Sequence, residues 1–157
     1  MDKLRWCVGK KDGLRLTESN ANLAEAYTKK AEEALESMRV NIIRDWKIST
    51  AYYATYFSLY ALLMKIGIRC EIHSCTIEFV KQFLEEYFSA EDIAFMEDAL
   101  QARINSQYYV DRAVPDAQYH KMVRETPEFL VKCKSVLPKL TERKISEIRK
   151  SFQKRIG

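Results

Sequence analysis

Residues 46–66, WKISTAYYATYFSLYALLMKI, decide the fold. At 3.6 residues per turn, Trp46, Thr50, Tyr53, Phe57, Tyr60 and Met64 share one face, and Ile48, Tyr52, Thr55, Leu59, Leu62 and Ile66 share another. A helix that is apolar nearly all round has no solvent face and belongs at the centre of a bundle. The rival reading is a membrane span, since no charge occurs from Ile48 to Met64 and Lys47 and Lys65 flank the run. A span needs about 20 predominantly apolar residues, and this run is shorter. Tyr52, Tyr53, Tyr56 and Tyr60 would also lie at mid-depth, whereas membrane tyrosines favour the interfaces. The stretch reads as a buried helix of a soluble protein with no membrane partner.

Working outward, 157 residues suit one domain, large enough to bury a core without metal or disulfide staples. Hydrophobic residues at 47% and charged residues at 31% exclude a disordered chain. Four Gly and three Pro fit long helices with short connections and argue against a sheet-rich fold. The four cysteines, with no signal-like leader in Met1 to Thr17, point to the reducing cytoplasm and free thiols. The net charge of +4 is unevenly placed: Thr141 to Gly157 holds six Lys or Arg against two Glu, so the other residues balance to zero. Arg143, Lys144, Arg149, Lys150, Lys154 and Arg155 are therefore candidates for attracting RNA electrostatically, against the plainer reading of a solvated terminal helix.

Residues 1–17 read as an irregular preface in which Leu4–Val8 and Leu14–Leu16, flanking an Asp-Gly pair, permit a hairpin, with Trp6 packed on the bundle. Thr17 or Ser19 can cap a first helix from about Asn20 to Asn41, with Leu23, Tyr27, Ala31, Ala34, Met38 and Ile42 at helical spacing. The central helix follows almost at once, which predicts an antiparallel hairpin ended by Gly67. Ser74 and Ser89 are N-cap candidates for two further helices, the second reaching about Tyr109. A fifth helix starts at Pro115 or Asp116, bends at Pro127 and stops before Pro138; a basic helix begins at Thr141. The expected fold is all-α: an up-and-down bundle of four to five helices over residues 18–140, with the basic C-terminal helix, residues 141–157, appended.

Chemistry concentrates at residues 103–111. Arg103 falls beside Met96 and Leu100, inside the apolar stripe, where an arginine rarely sits unpaired. Gln107 lies one turn on, and Tyr108, Tyr109 and Asp111 follow. Two readings stay open here. One is an anion site, in which Arg103 takes phosphate and tyrosine rings stack on bases. The other is an internal strut, with Arg103 paired to Asp111 or Asp45. Cys70, His73 and Cys75, with Cys7 as a fourth donor, also form a cluster of zinc-ligand types. That spacing matches no established zinc motif, and no metal or cofactor is called for.

The ordered set of Ala51-Tyr52-Tyr53-Ala54, Ala61-Leu62-Leu63, Gly67, His73-Ser74 and Arg103 with Tyr108-Tyr109, behind a lysine-rich first helix, resembles the HEPN family (higher eukaryotes and prokaryotes nucleotide-binding domain) over about residues 20–137. The preface and Asn22–Tyr27 look most like stand-alone archaeal members. The resemblance implies a helical bundle, often a homodimer, frequently encoded beside a minimal nucleotidyltransferase as a toxin–antitoxin pair. Active ribonucleases of the family carry an Arg, four to six intervening residues, then a His, and cleave RNA without metal. Arg103 matches that Arg. The His does not match: Tyr108 stands after four residues and Val110 after six.

That departure shapes the function expected. Moving a proton near neutral pH suits His, with a pKa of about 6.5, better than Tyr at about 10. His120 follows Arg112 across Pro115 at the wrong spacing, and His73 looks like a structural cap. Three readings remain. One is a nucleotide- or RNA-binding module using Arg103, Gln107, Tyr108, Tyr109 and Asp111. Another is a ribonuclease in which Arg103 acts with Tyr108 or a neighbouring His. The third is a scaffold with no ligand.

Overall fold

The computed structural model describes residues 2–157. Seven α-helices follow in order among them: α1 (Lys3–Gly9), α2 (Ala21–Val40), α3 (Arg44–Ile66), α4 (His73–Phe83), α5 (Ala90–Tyr108), α6 (Asp116–Val136) and α7 (Glu142–Ile156). A 3-10 turn, Leu137–Lys139, separates the last two. The all-α expectation holds. Two short strands, β1 (Arg15–Leu16) and β2 (Ile68–Arg69), pair antiparallel.

α3 is the axis. Fifteen of its 23 residues are buried, and it packs against α2, α5 and α6. Its polar residues are satisfied within the helix: Thr55 Oγ1 donates to Ala51 O and Ser58 Oγ to Thr55 O, so neither costs an unpaired group in the core. α2 runs back along it as the expected hairpin. At the far end Gly67 takes the left-handed conformation, φ 91°, and its N–H closes on Leu63 O. A Cβ there would lie 2.2 Å from Arg149 Nη1, so glycine is required by both dihedral and space.

Several expectations are corrected. Leu4–Val8 is not a hairpin strand but part of α1, capped by the Asp2 side chain, and β1 pairs with β2 across the chain instead. Trp6 is covered only in part: it is 37% exposed, with Lys3 and Lys10 ammonium groups over its ring. Trp46, in the first turn of α3, is 59% exposed. Asn20, rather than Thr17 or Ser19, caps α2, and α4 begins at His73 without a side-chain cap. Ser89 does cap α5, in a reciprocal box with Asp92.

Two of the cysteines are not free. Cys7 on α1 and Cys75 on α4 form a disulfide across 68 residues, which removes the free-thiol argument for a reducing compartment. Cys70 and Cys133 remain as buried thiols, both pushed up by burial. α7 is docked, not merely appended. Ile148 and Phe152 are buried, Phe152 meets Phe79 and Phe83 edge-on, and Arg149 Nη1 donates to the carbonyls of Thr17, Ile66 and Gly67.

Candidate functional site around Arg103

Arg103 projects from the last two turns of α5 toward the aromatic row of α3. Its Nη1 donates to Tyr53 Oη at 3.1 Å and to Gln107 Oε1 at 3.3 Å. Its guanidinium lies over the rings of Tyr52 and Tyr53, with Cζ 5.0 and 5.5 Å from the centroids. Nε is buried and without a hydrogen-bond partner. Neither Asp111 nor Asp45 pairs with it, and among the described residues no carboxylate lies within ion-pair distance. α5 reaches its end at Tyr108 and Tyr109 turns to extended backbone, which carries Asp111 away into the α5–α6 connection. The charge is met only by π faces, a phenol and an amide. Those partners soften a cation without neutralising it.

The same aromatic row holds His73. Its Nδ1 lies 2.7 Å from Tyr52 Oη, and its ring stacks on Tyr56 with centroids 3.9 Å apart. Burial, and then the charge of Arg103, lower the imidazole pKa to about 4. Burial likewise pushes the Tyr52 phenol well above the ordinary tyrosine range. A neutral ring beside a protonated phenol makes Tyr52 the donor and Nδ1 the acceptor, leaving the ring proton on Nε2. Tyr56 Oη bonds Thr76 Oγ1 at 3.2 Å, and Tyr60 Oη accepts from Cys70 N.

The structure separates the other sequence candidates from this centre. Tyr108 is 63% exposed and joined to Arg103 by no hydrogen bond or ring contact; Tyr109 instead carries Arg112 over its ring at 3.8 Å. Tyr109 and Arg112 line a separate cleft of about 430 Å³ with Arg44, Asp45 and Asp116. On α7, Arg143 pairs with Glu147, Lys144 with Glu86 and Glu147, Arg155 with Gln82, and Arg149 with backbone carbonyls. Lys150 and Lys154 are exposed and make no ion pair among the described residues.

Sequence reasoning placed Arg103 and Gln107 together, and the buried phenols of α3 called for partners that Arg103, His73 or Asp45 could supply; it left open that Tyr53 takes the arginine and Tyr52 the imidazole. The i, i+4 spacing of Tyr52 and Tyr56 was a signal that one object faces both rings. Which object it was depends on how α4 enters. The zinc-type cluster is dissolved by the disulfide, which takes Cys7 and Cys75. No helix among the described residues is long and apolar enough to cross a membrane.

Among curated proteins, none matches the chain. The family model of the HEPN domain matches residues 22–148, well over half of the 157 residues, running past the bundle into α7, and the chain belongs to the HEPN domain family.

Proposed function

We propose that this protein is a nucleotide- or RNA-binding HEPN module that holds a phosphate at Arg103 and does not cleave by the family's Arg–His motif. The observation that carries this reading is Arg103 itself: a half-buried guanidinium with no carboxylate partner and a buried, unpartnered Nε. An internal strut would be paired, because an uncompensated charge in a partly desolvated site is costly. A phosphate would supply the missing counter-charge bidentately. His73 is close at hand but poorly suited to take a proton, with Nδ1 already accepting from Tyr52 and Nε2 holding the ring proton. Tyr108 offers no substitute, lying outside the cluster.

A homodimer, a nucleotidyltransferase partner in a toxin–antitoxin pair, and an archaeal source belong to the same proposal. Support for pairing comes from the exposed apolar residues at one end of the bundle. Ile42, Ile43 and Trp46 lie at the α2–α3 turn and the start of α3, and Val110 lies beyond α5, lining one cleft with α3 residues. A cytoplasmic setting is proposed with it; intracellular proteins of hyperthermophiles are the known group that keeps disulfides there.

The test is transfer RNA incubated with wild type and Arg103→Ala in EDTA, both checked for folding by circular dichroism. The reading expects intact RNA, wild-type binding that falls steeply with salt, and at least tenfold weaker binding by the variant. Cleavage by the wild type alone would establish the ribonuclease alternative. No binding by either protein would leave the scaffold reading.

A further inference from the structure

A chain of contacts leads from Arg103 to the amino-terminal helix. Arg103 lies over Tyr52, Tyr52 bonds His73, and the next residue, Ser74, accepts a hydrogen bond from Lys3 Nζ at 3.3 Å. Lys3 and Lys10 in turn place their ammonium groups 4.5 and 5.0 Å from the Trp6 ring centroid. The Cys7–Cys75 disulfide fastens α1 to the first turn of α4, so Trp6 is held at a set place relative to His73. All of α1 precedes residue 22 and so lies outside the family match.

Nothing in the core asks for a tryptophan at position 6. Leu4 and Cys7 make the buried side of α1, while Trp6 keeps 37% of its surface exposed. Charge is lopsided in the same segment. Residues 1–17 carry five Lys or Arg against two Asp, a net of +3, and residues 141–157 carry +4. Residues 18–140 therefore carry −3. α1 packs against both α4 and α7, so the two segments that carry the positive excess adjoin each other. An exposed aromatic ring between cations is the arrangement that takes single-stranded nucleic acid, with the base on the ring and the phosphates on the amines.

We propose that α1 is a second contact for single-stranded RNA. Trp6 stacks on an unpaired base beyond the nucleotide held at Arg103, and Lys3 and Lys10 neutralise the flanking phosphates; this rests on the RNA reading above. The lysines over the ring do not forbid it. Both are exposed, and a stacked base gains more than an exposed cation–π contact loses.

The experiment uses the full chain carrying Trp46→Phe, so that Trp6 is the sole tryptophan, titrated with a labelled 12-nucleotide oligouridylate. Binding is followed by anisotropy of the label and stacking by Trp6 fluorescence. Saturable quenching is expected at the concentration where anisotropy rises. Lys3→Ala with Lys10→Ala should reduce the slope of log affinity against log salt by about 1.4, the share of two phosphates on a single strand. Anisotropy that rises without quenching, or a slope unchanged by the lysine substitutions, overturns the inference and leaves the Arg103 reading standing. Quenching that is equal with a duplex RNA, whose bases are already stacked, also overturns it. Absence of binding by either signal removes the RNA reading and this inference with it.

Discussion

The Tyr52 hydroxyl meets Nδ1 of His73 at 2.7 Å, while the opposite demand on the same ring is the Arg103 guanidinium over its π face. A neutral acceptor and a cation are thus held on one phenol. The imidazole stays uncharged because burial and the neighbouring cation both penalise its protonated form.

The first prediction concerns acid stability. With the folded pKa of His73 near 4 and the unfolded value near 6.5, the unfolded chain binds the extra proton between those limits. Stability is therefore fully present above about pH 6.5 and falls as pH drops toward 4. Because the ring is only partly buried, the loss should be on the order of 2 kcal/mol, less than the full shift implies. Urea denaturation at pH 7 and pH 4.5 checks it, and His73→Gln should flatten the difference. An equal slope in wild type and variant would refute the assignment.

A second prediction isolates the arginine. In a His120→Gln background, proton NMR should find the remaining imidazole titrating far below the ordinary range. Arg103→Gln should move that midpoint upward, since it removes a positive neighbour while burial remains. A midpoint that stays put would mean Arg103 does not act on His73.

The disulfide sets a third. Denatured without reductant, the protein should present two reactive thiols, Cys70 and Cys133, and four after reduction. Opening a loop closed over 68 residues should cost about 4 kcal/mol by the chain-entropy account. Cys7→Ser with Cys75→Ser, followed by chemical denaturation, measures this directly. Four thiols without reductant would show that the bond does not form.

The tail gives a fourth. Arg149→Ala should destabilise by about 2 kcal/mol, since its Nη1 serves three carbonyls at the end of α3. Lys150→Ala with Lys154→Ala should change stability by no more than about 0.5 kcal/mol, as both are free at the surface. If RNA binding uses the tail, the lysine pair and not Arg149 should lower its salt dependence. The reverse pattern would assign the tail's effect to folding alone.

Much of the architecture could be read before any coordinates. The uncharged run from Ile48 to Met64 placed α3 at the centre because a helix apolar on all sides has to be surrounded. Gly67, Ser89 and Pro138 marked ends that follow from local backbone chemistry, and Arg103 stood out because a charge in an apolar stripe is improbable without purpose. All of these are properties of one helix or one turn.

What the sequence left open is which groups of distant segments pair with which. That Tyr53 meets Arg103, fifty residues on, and that Tyr52 meets His73 depend on how α3, α4 and α5 cross. The disulfide depends on α1 folding as a helix and lying against α4, and Arg149 became a cap because α7 docks across the end of α3. Helical periodicity states which residues share a face, and the sequence determined that much. Which faces meet is decided by packing over the whole chain, so the partners of Arg103, and with them the character of the site, were settled only by the tertiary structure.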